Sequence, residues 1–86
     1  MQKNENNRFN IISDSITLKQ SSGAVLDITS GDVLTYFING NPDITEDVKF
    51  IGVSEGNIPL FIALDDDGNE HSGILMIGDT ENLFLR

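Results

Sequence analysis

Apolar residues fall in short bursts along this chain, and polar, glycine-marked breaks separate them. "SITLKQ" alternates, with Ile16 and Leu18 between polar neighbours, as a strand with one buried face should. "AVLDIT" follows after the turn signal "SSG". Ser15–Gln20 and Ala24–Thr29 therefore read as a hairpin. Upstream, "FNIISDS" is rich in β-branched residues and reads as a strand or bent strand, broken near Ser13 and Asp14.

"VLTYFI" at 33–38 supports two readings. Val33, Leu34, Phe37 and Ile38 would share one face of a helix, with Ser30 as cap and Gly40 as stop. Val, Thr, Tyr, Phe and Ile nevertheless favour strands, and the segment is short, so a strand is expected. In "NGNPDITED", Asn41 before Pro42 resembles an N-cap and first helical residue. That predicts one helical turn over Pro42–Glu46, with Ile44 in the core. "VKFIGV" at 48–53 reads as a strand with Val48 and Phe50 on one face. Gly52 inside it marks a bulge or a close approach. "IPLFIAL" at 58–64 starts beside Pro59, which suits a strand's beginning or edge. "SGILMI" at 72–77 predicts a strand buried on both faces, and "LFLR" ends the chain in a last short strand.

Turn signals thus recur about every 8–12 residues, the spacing of an all-β domain. The pattern resembles an SH3-like small barrel or a compact β-sandwich of five to seven short strands with one short helical turn. An OB-like barrel is a further alternative. Residues 1–8 are polar and Asn-rich and read as a disordered tail, which leaves 9–86 as a single small domain.

Composition narrows the picture. With 38% hydrophobic residues and no cysteine, a small core must hold the fold without disulfides. Absence of cysteine also fits a cytoplasmic setting. "MQKNENNRFN" has no apolar run behind it, so no secretory signal is expected. The apolar runs are far shorter than the ~20 residues that cross a bilayer, so no membrane contact is expected.

Charge changes the reading most. The formal net charge is -9, from 14 acids and 5 bases. Lys3, Arg8, Lys19 and Arg86 lie near the chain ends, leaving Lys49 as the only base against twelve acids between Gln20 and Leu85. Direct nucleic-acid binding needs clustered Lys and Arg, so it is not expected. A basic protein surface is the expected partner, met by Asp43, Glu46, Asp47, Asp65, Asp66, Asp67 and Glu70. In composition the chain resembles small acidic modulators made by phages and mobile elements. Some of those block nucleic-acid-binding host proteins by imitating phosphate charge. An oligomeric β module, pairing its edge strands with another copy, is the alternative.

"LDDDGNEHSG" at 64–73 holds the densest candidate chemistry. An EF-hand loop with Gly68 as its glycine would start at Ala63 and end at Ile74, so both end ligands are wrong. A looser calcium loop is a second alternative, since hard cations favour clustered carboxylates. Asp67-Gly68 between two apolar β runs reads more simply as a hairpin turn. His71 is the sole histidine, and its neighbours Glu70 and Ser72 would face away from it on a strand. It is expected to be solvent-facing rather than catalytic. No glycine pattern forms a phosphate cradle. Tyr36 and the phenylalanines are expected in the core. No enzyme activity, cofactor or metal is expected.

Overall fold

The computed structural model describes residues 10–86. The expected tail at 1–8 and the start of order at Phe9 lie outside those residues. The strands are β1 (Ile11–Ser13), β2 (Ser15–Lys19), β3 (Val25–Thr29), β4 (Val33–Phe37), β5 (Thr45–Ser54), β6 (Ile58–Ala63), β7 (Leu75–Met76) and β8 (Leu83–Leu85). Short 3₁₀ turns occupy Ile38–Gly40 and Thr80–Asn82. The chain is mostly β, as its β-branched and aromatic runs predict. Strand 33–37 prevails over the helical alternative.

A six-stranded sheet runs in the order β7-β6-β5-β4-β8, with β1 added to β5. Hairpin β2-β3 forms a separate two-stranded sheet. Neither sheet closes. The long strand β5 organises the molecule. Its first half pairs with β4, from Phe37 opposite Thr45 to Val33 opposite Lys49. Its end pairs with β1 through Val53 and Ser54. β6 pairs along its length, with a bulge between Phe50 and Gly52. Gly52 has φ +146°, a conformation that L side chains rarely adopt, and Ile11 and Ser13 cross directly over it.

The core lies between this sheet and the hairpin. Leu34, Val48, Phe50, Phe61 and Leu83 supply the sheet side, and Leu26 and Ile28 face them from β3. Ile16, Leu18 and Tyr36 pack at its margin. The aromatic centre is Phe50 against Phe61, with ring centroids 5.7 Å apart. Burying each large apolar side chain contributes about 1.5–3 kcal/mol. Gln20 ties the hairpin down, its Nε2 donating to the carbonyls of Thr80 and Leu83 at 2.9 and 3.0 Å.

Four expectations need correction, the first being Phe84, expected in the core but 41% exposed on β8. The helical turn is not at Pro42–Glu46. It sits earlier, at Ile38–Gly40, where Asn39 takes φ 56°. Asn41 accepts a bond from the Asp43 N–H through its side chain, forming an Asx turn instead of capping a helix. Thr45 onward then joins the β4 ladder, which offers more bonds than one isolated turn. Ile44 is accordingly 52% exposed rather than buried, held in place by its backbone bonds to Ile38 and Asn41. The strand expected at 72–77 shrinks to Leu75–Met76 and is exposed, because it lies on the sheet edge. Only Ile77 of that stretch reaches the core.

Candidate functional site

The aspartate loop closes the β6–β7 connection. Leu64 and Glu70 bridge its base. The Asp65 N–H bonds the Asn69 carbonyl and the Gly68 N–H bonds the Asp65 carbonyl, each at 2.9 Å. Gly68 takes φ +84°, the left-handed conformation that an Asp-Gly turn exploits. The three aspartates then divide their work. Asp65 turns its carboxylate back into the loop, where Oδ1 accepts the N–H groups of Asp67 and Asn69, both at 2.9 Å. The Asn69 N–H is the largest cause of a lowered Asp65 pKa; partial burial opposes it, while the Asp67 N–H and the nearby His71 add to it. Asp66 and Asp67 are exposed and take no part in this turn network through their side chains.

The loop faces the start of β5 across an open groove of about 470 Å³. Glu46 and Asp47 line one side, and Asp65 and Asp66 the other. Ile38, Thr45, Leu64 and His71 complete its walls. A second open depression of about 640 Å³ shares Asp47, Leu64, Asp65 and Asp66, and adds Asp67 and Arg86. Five of the seven acids expected at a site therefore line one connected surface. The other two lie elsewhere. Asp43 sits in the exposed turn after Asn41. Glu70 accepts from Lys49 Nζ at 2.7 Å.

Basic side chains temper this surface at two points. Arg86 donates to Asp47 at 2.6 Å, and Lys49 pairs with Glu70. Both pairs are partly exposed, so each contributes up to about 1 kcal/mol. Among the described residues, no ion pair neutralises Glu46, Asp65, Asp66 or Asp67. His71 is exposed; its backbone N–H bonds the Ala63 carbonyl. Its imidazole makes no hydrogen bond among the described residues, so no oriented partner couples it to a nucleophile. Among those residues, too, no group of three or more His, Asp or Glu could hold a metal ion. None of their helices is long and apolar enough to cross a membrane.

A second polar cluster escaped the sequence reading. Tyr36 Oη donates to the Asp79 carboxylate, 2.9 and 2.8 Å from its two oxygens, and Asn82 Nδ2 donates to the same group at 3.0 Å. The Asn82 bond is the largest cause of a lowered Asp79 pKa, with the Tyr36 bond next. The Asp79 bond in turn raises Tyr36, aided by partial burial. This clasp joins β4 to the last 3₁₀ turn across 43 positions, a separation that leaves no local signal. Arg86 was missed for the same reason. Leu64 and His71 flank the aspartate run, and a turn placing that run over β5 would have pointed to them.

Comparison with protein-family models, curated proteins and solved structures gave no match.

Proposed function

We propose that this chain is a non-enzymatic interaction domain that docks an acidic face on a basic partner protein. The observation that carries the reading is the gathering of Glu46, Asp47, Asp65, Asp66 and Asp67 around two adjoining open depressions. These acids come from segments far apart in the chain. Their summed potential attracts a positive surface and raises the association rate. The partner is a nucleic-acid-binding protein whose phosphate-contacting Lys and Arg the acids occupy, in the manner of a phage- or mobile-element-encoded inhibitor. The setting is the cytoplasm, in keeping with a cysteine-free chain. The architecture is an SH3-like small barrel in which hairpin β2-β3 closes over the core face of the sheet. Its support is the shared core formed by Leu26 and Ile28 with Phe50 and Phe61.

Capture from native cells on the immobilised chain tests this reading. The expected result is a basic protein that elutes with salt and loses its nucleic acid as the chain is added. A captured partner that keeps its nucleic acid throughout, and resists elution at ~0.5 M salt, refutes it.

One observation favours a second reading, an oligomeric β module. Leu75 and Met76 on β7, and Phe84 and Leu85 on β8, are exposed at the two ends of the sheet order. Light scattering at high protein concentration decides between a monomer and an assembly.

A further inference from the structure

Asparagine is chemically unstable when glycine follows it. The amide nitrogen of the next residue can attack the asparagine Cγ, and glycine, lacking a Cβ, hinders that approach least. Asn39-Gly40 is the only Asn-Gly pair in the sequence. The other asparagines of residues 10–86 are poorer candidates. Asn41 precedes Pro42, which has no N–H to lose. Asn10 and Asn57 precede isoleucines, whose branched Cβ crowds the attacking nitrogen. Asn69 precedes Glu70, which is bridged to Leu64 at the base of its loop. Asn82 is held on Asp79 at 3.0 Å, and the Leu83 N–H after it already bonds the Thr80 carbonyl.

Asn39 sits in the 3₁₀ turn Ile38–Gly40 that links β4 to β5. It is exposed, and none of the turn's residues is buried. Its side chain makes no hydrogen bond among the described residues. With φ 56° and ψ 26°, it points the Gly40 nitrogen almost directly away from its own Cβ–Cγ arm. The turn must therefore open, with a large rotation about ψ, before that nitrogen can reach Cγ. Little opposes the opening. One bond closes the turn, from the Asn41 N–H to the Ile38 carbonyl at 3.0 Å. Two more, between Ile38 and Ile44 and between Ile44 and Asn41, flank it. The β4–β5 ladder starts only at Phe37 opposite Thr45 and can stay intact.

We propose that Asn39 is a site of spontaneous deamidation, reached by local opening of the Ile38–Gly40 turn. The co-reactant is water. In the opened turn the Gly40 N–H loses its proton to hydroxide, and the nitrogen attacks Asn39 Cγ. A new N–Cγ bond forms, the Cγ–Nδ2 bond breaks, and the amide nitrogen takes a proton from water and leaves as ammonia. The product is a five-membered cyclic imide. Water then opens the imide at either carbonyl. Opening at Cγ leaves aspartate at position 39. Opening at the backbone carbonyl leaves isoaspartate, whose main chain runs through Cγ and is longer by a methylene. Both products carry a new carboxylate beside Ile38, a wall of the acidic groove. The longer main chain of the iso form misaligns the Asn41-to-Ile38 bond. Asp67-Gly68 can cyclise in the same way but more slowly, because an ionised carboxylate is a poor electrophile.

Peptide mapping by mass spectrometry tests this on the full chain, kept in mildly alkaline buffer either folded or unfolded in guanidinium chloride. The mass gain of amide-to-acid exchange is expected at Asn39 before any other asparagine of residues 10–86, with aspartate and isoaspartate resolved as separate peptides. Folding is expected to slow the conversion only about tenfold, as for a turn that opens on its own. Slowing by about a thousandfold or more would mean that Asn39 reacts only when the whole chain unfolds, and overturns the inference. Earlier conversion at another of these asparagines overturns it too. Asn39→Gly suits φ 56° and removes the amide, so it should abolish the mass gain in that peptide. A mass gain that persists there places the reaction elsewhere and overturns the assignment.

Discussion

Replacing Gly52 with alanine tests the backbone arrangement that bends β5. The new Cβ would lie 2.6 Å from Ile11 Cγ2 and 3.2 Å from the Ser13 carbonyl oxygen. Two costs add. Holding a non-glycine residue at φ +146° costs about 1–3 kcal/mol. The Ile11 contact is relieved by an off-rotamer or displaced side chain, at about 1 kcal/mol, because Ile11 is half exposed and free to move. The Ser13 oxygen is backbone, so β1 must also shift by a few tenths of an ångström. Together the expected destabilisation is about 2–4 kcal/mol, a large share of the ~4–12 kcal/mol typical for a chain this size. Urea unfolding measures it. With a slope of about 1 kcal/mol/M, the midpoint should fall by ~2–4 M at an unchanged slope. Ile11→Ala combined with Gly52→Ala should recover about 1 kcal/mol of the loss and no more, since the backbone strain stays. A Gly52→Ala loss below ~0.5 kcal/mol would mean that β1 does not cross β5 at this bulge.

The Tyr36–Asp79 clasp predicts a two-sided pH dependence. Asp79 lies below its ordinary 3.8 in the fold, so its contribution is complete above that value and disappears as pH falls through the lowered pKa. Tyr36 lies above its ordinary 10.0, so its contribution is complete below that value and disappears as pH rises through the raised pKa. Thermal melts of Tyr36→Phe across pH should lose the alkaline part, and Asp79→Asn both parts. Phe61→Ala, at a fully buried position, should cost about 3–5 kcal/mol in urea unfolding, and Phe84→Ala, at the exposed β8 edge, well under half of that. Arg86→Ala should cost less than about 1 kcal/mol, because its pair with Asp47 is partly exposed. By freeing Asp47 it should also strengthen binding of a Lys-rich peptide, measured by titration calorimetry.

Much of the fold was legible wherever local preference and tertiary pairing agree. Ile16 and Leu18 alternate because β2 has one buried face, and Val33–Phe37 is strand because its side chains suit a pleated surface. Gly52 announced a close approach because little else justifies glycine inside an apolar strand. Misreadings arose where pairing overrode local signals. Asn41-Pro42 looks like a helix start, yet the β4 ladder draws Thr45 into β5. Ile74–Ile77 looks like a core strand, yet its place at the sheet edge leaves Leu75 and Met76 exposed. For the candidate site, the acids themselves were visible in the composition. Which of them meet was not, because the groove joins Glu46 and Asp47 to a loop some twenty positions later. Asp65's inward role was also hidden, since three successive aspartates look alike until the turn forms.

The most direct test of acidic docking compares how binding varies with salt in two forms of the chain. Binding of a synthetic peptide that alternates Lys and Val is measured from ~0.05 to ~0.5 M salt for the native chain and for Glu46→Gln combined with Asp66→Asn and Asp67→Asn, which leaves Asp65 to hold the turn. The account predicts steep weakening with salt in the native chain, and a shallower slope with about tenfold or greater loss of low-salt affinity in the variant. Equal affinities and parallel slopes for the two forms would contradict it.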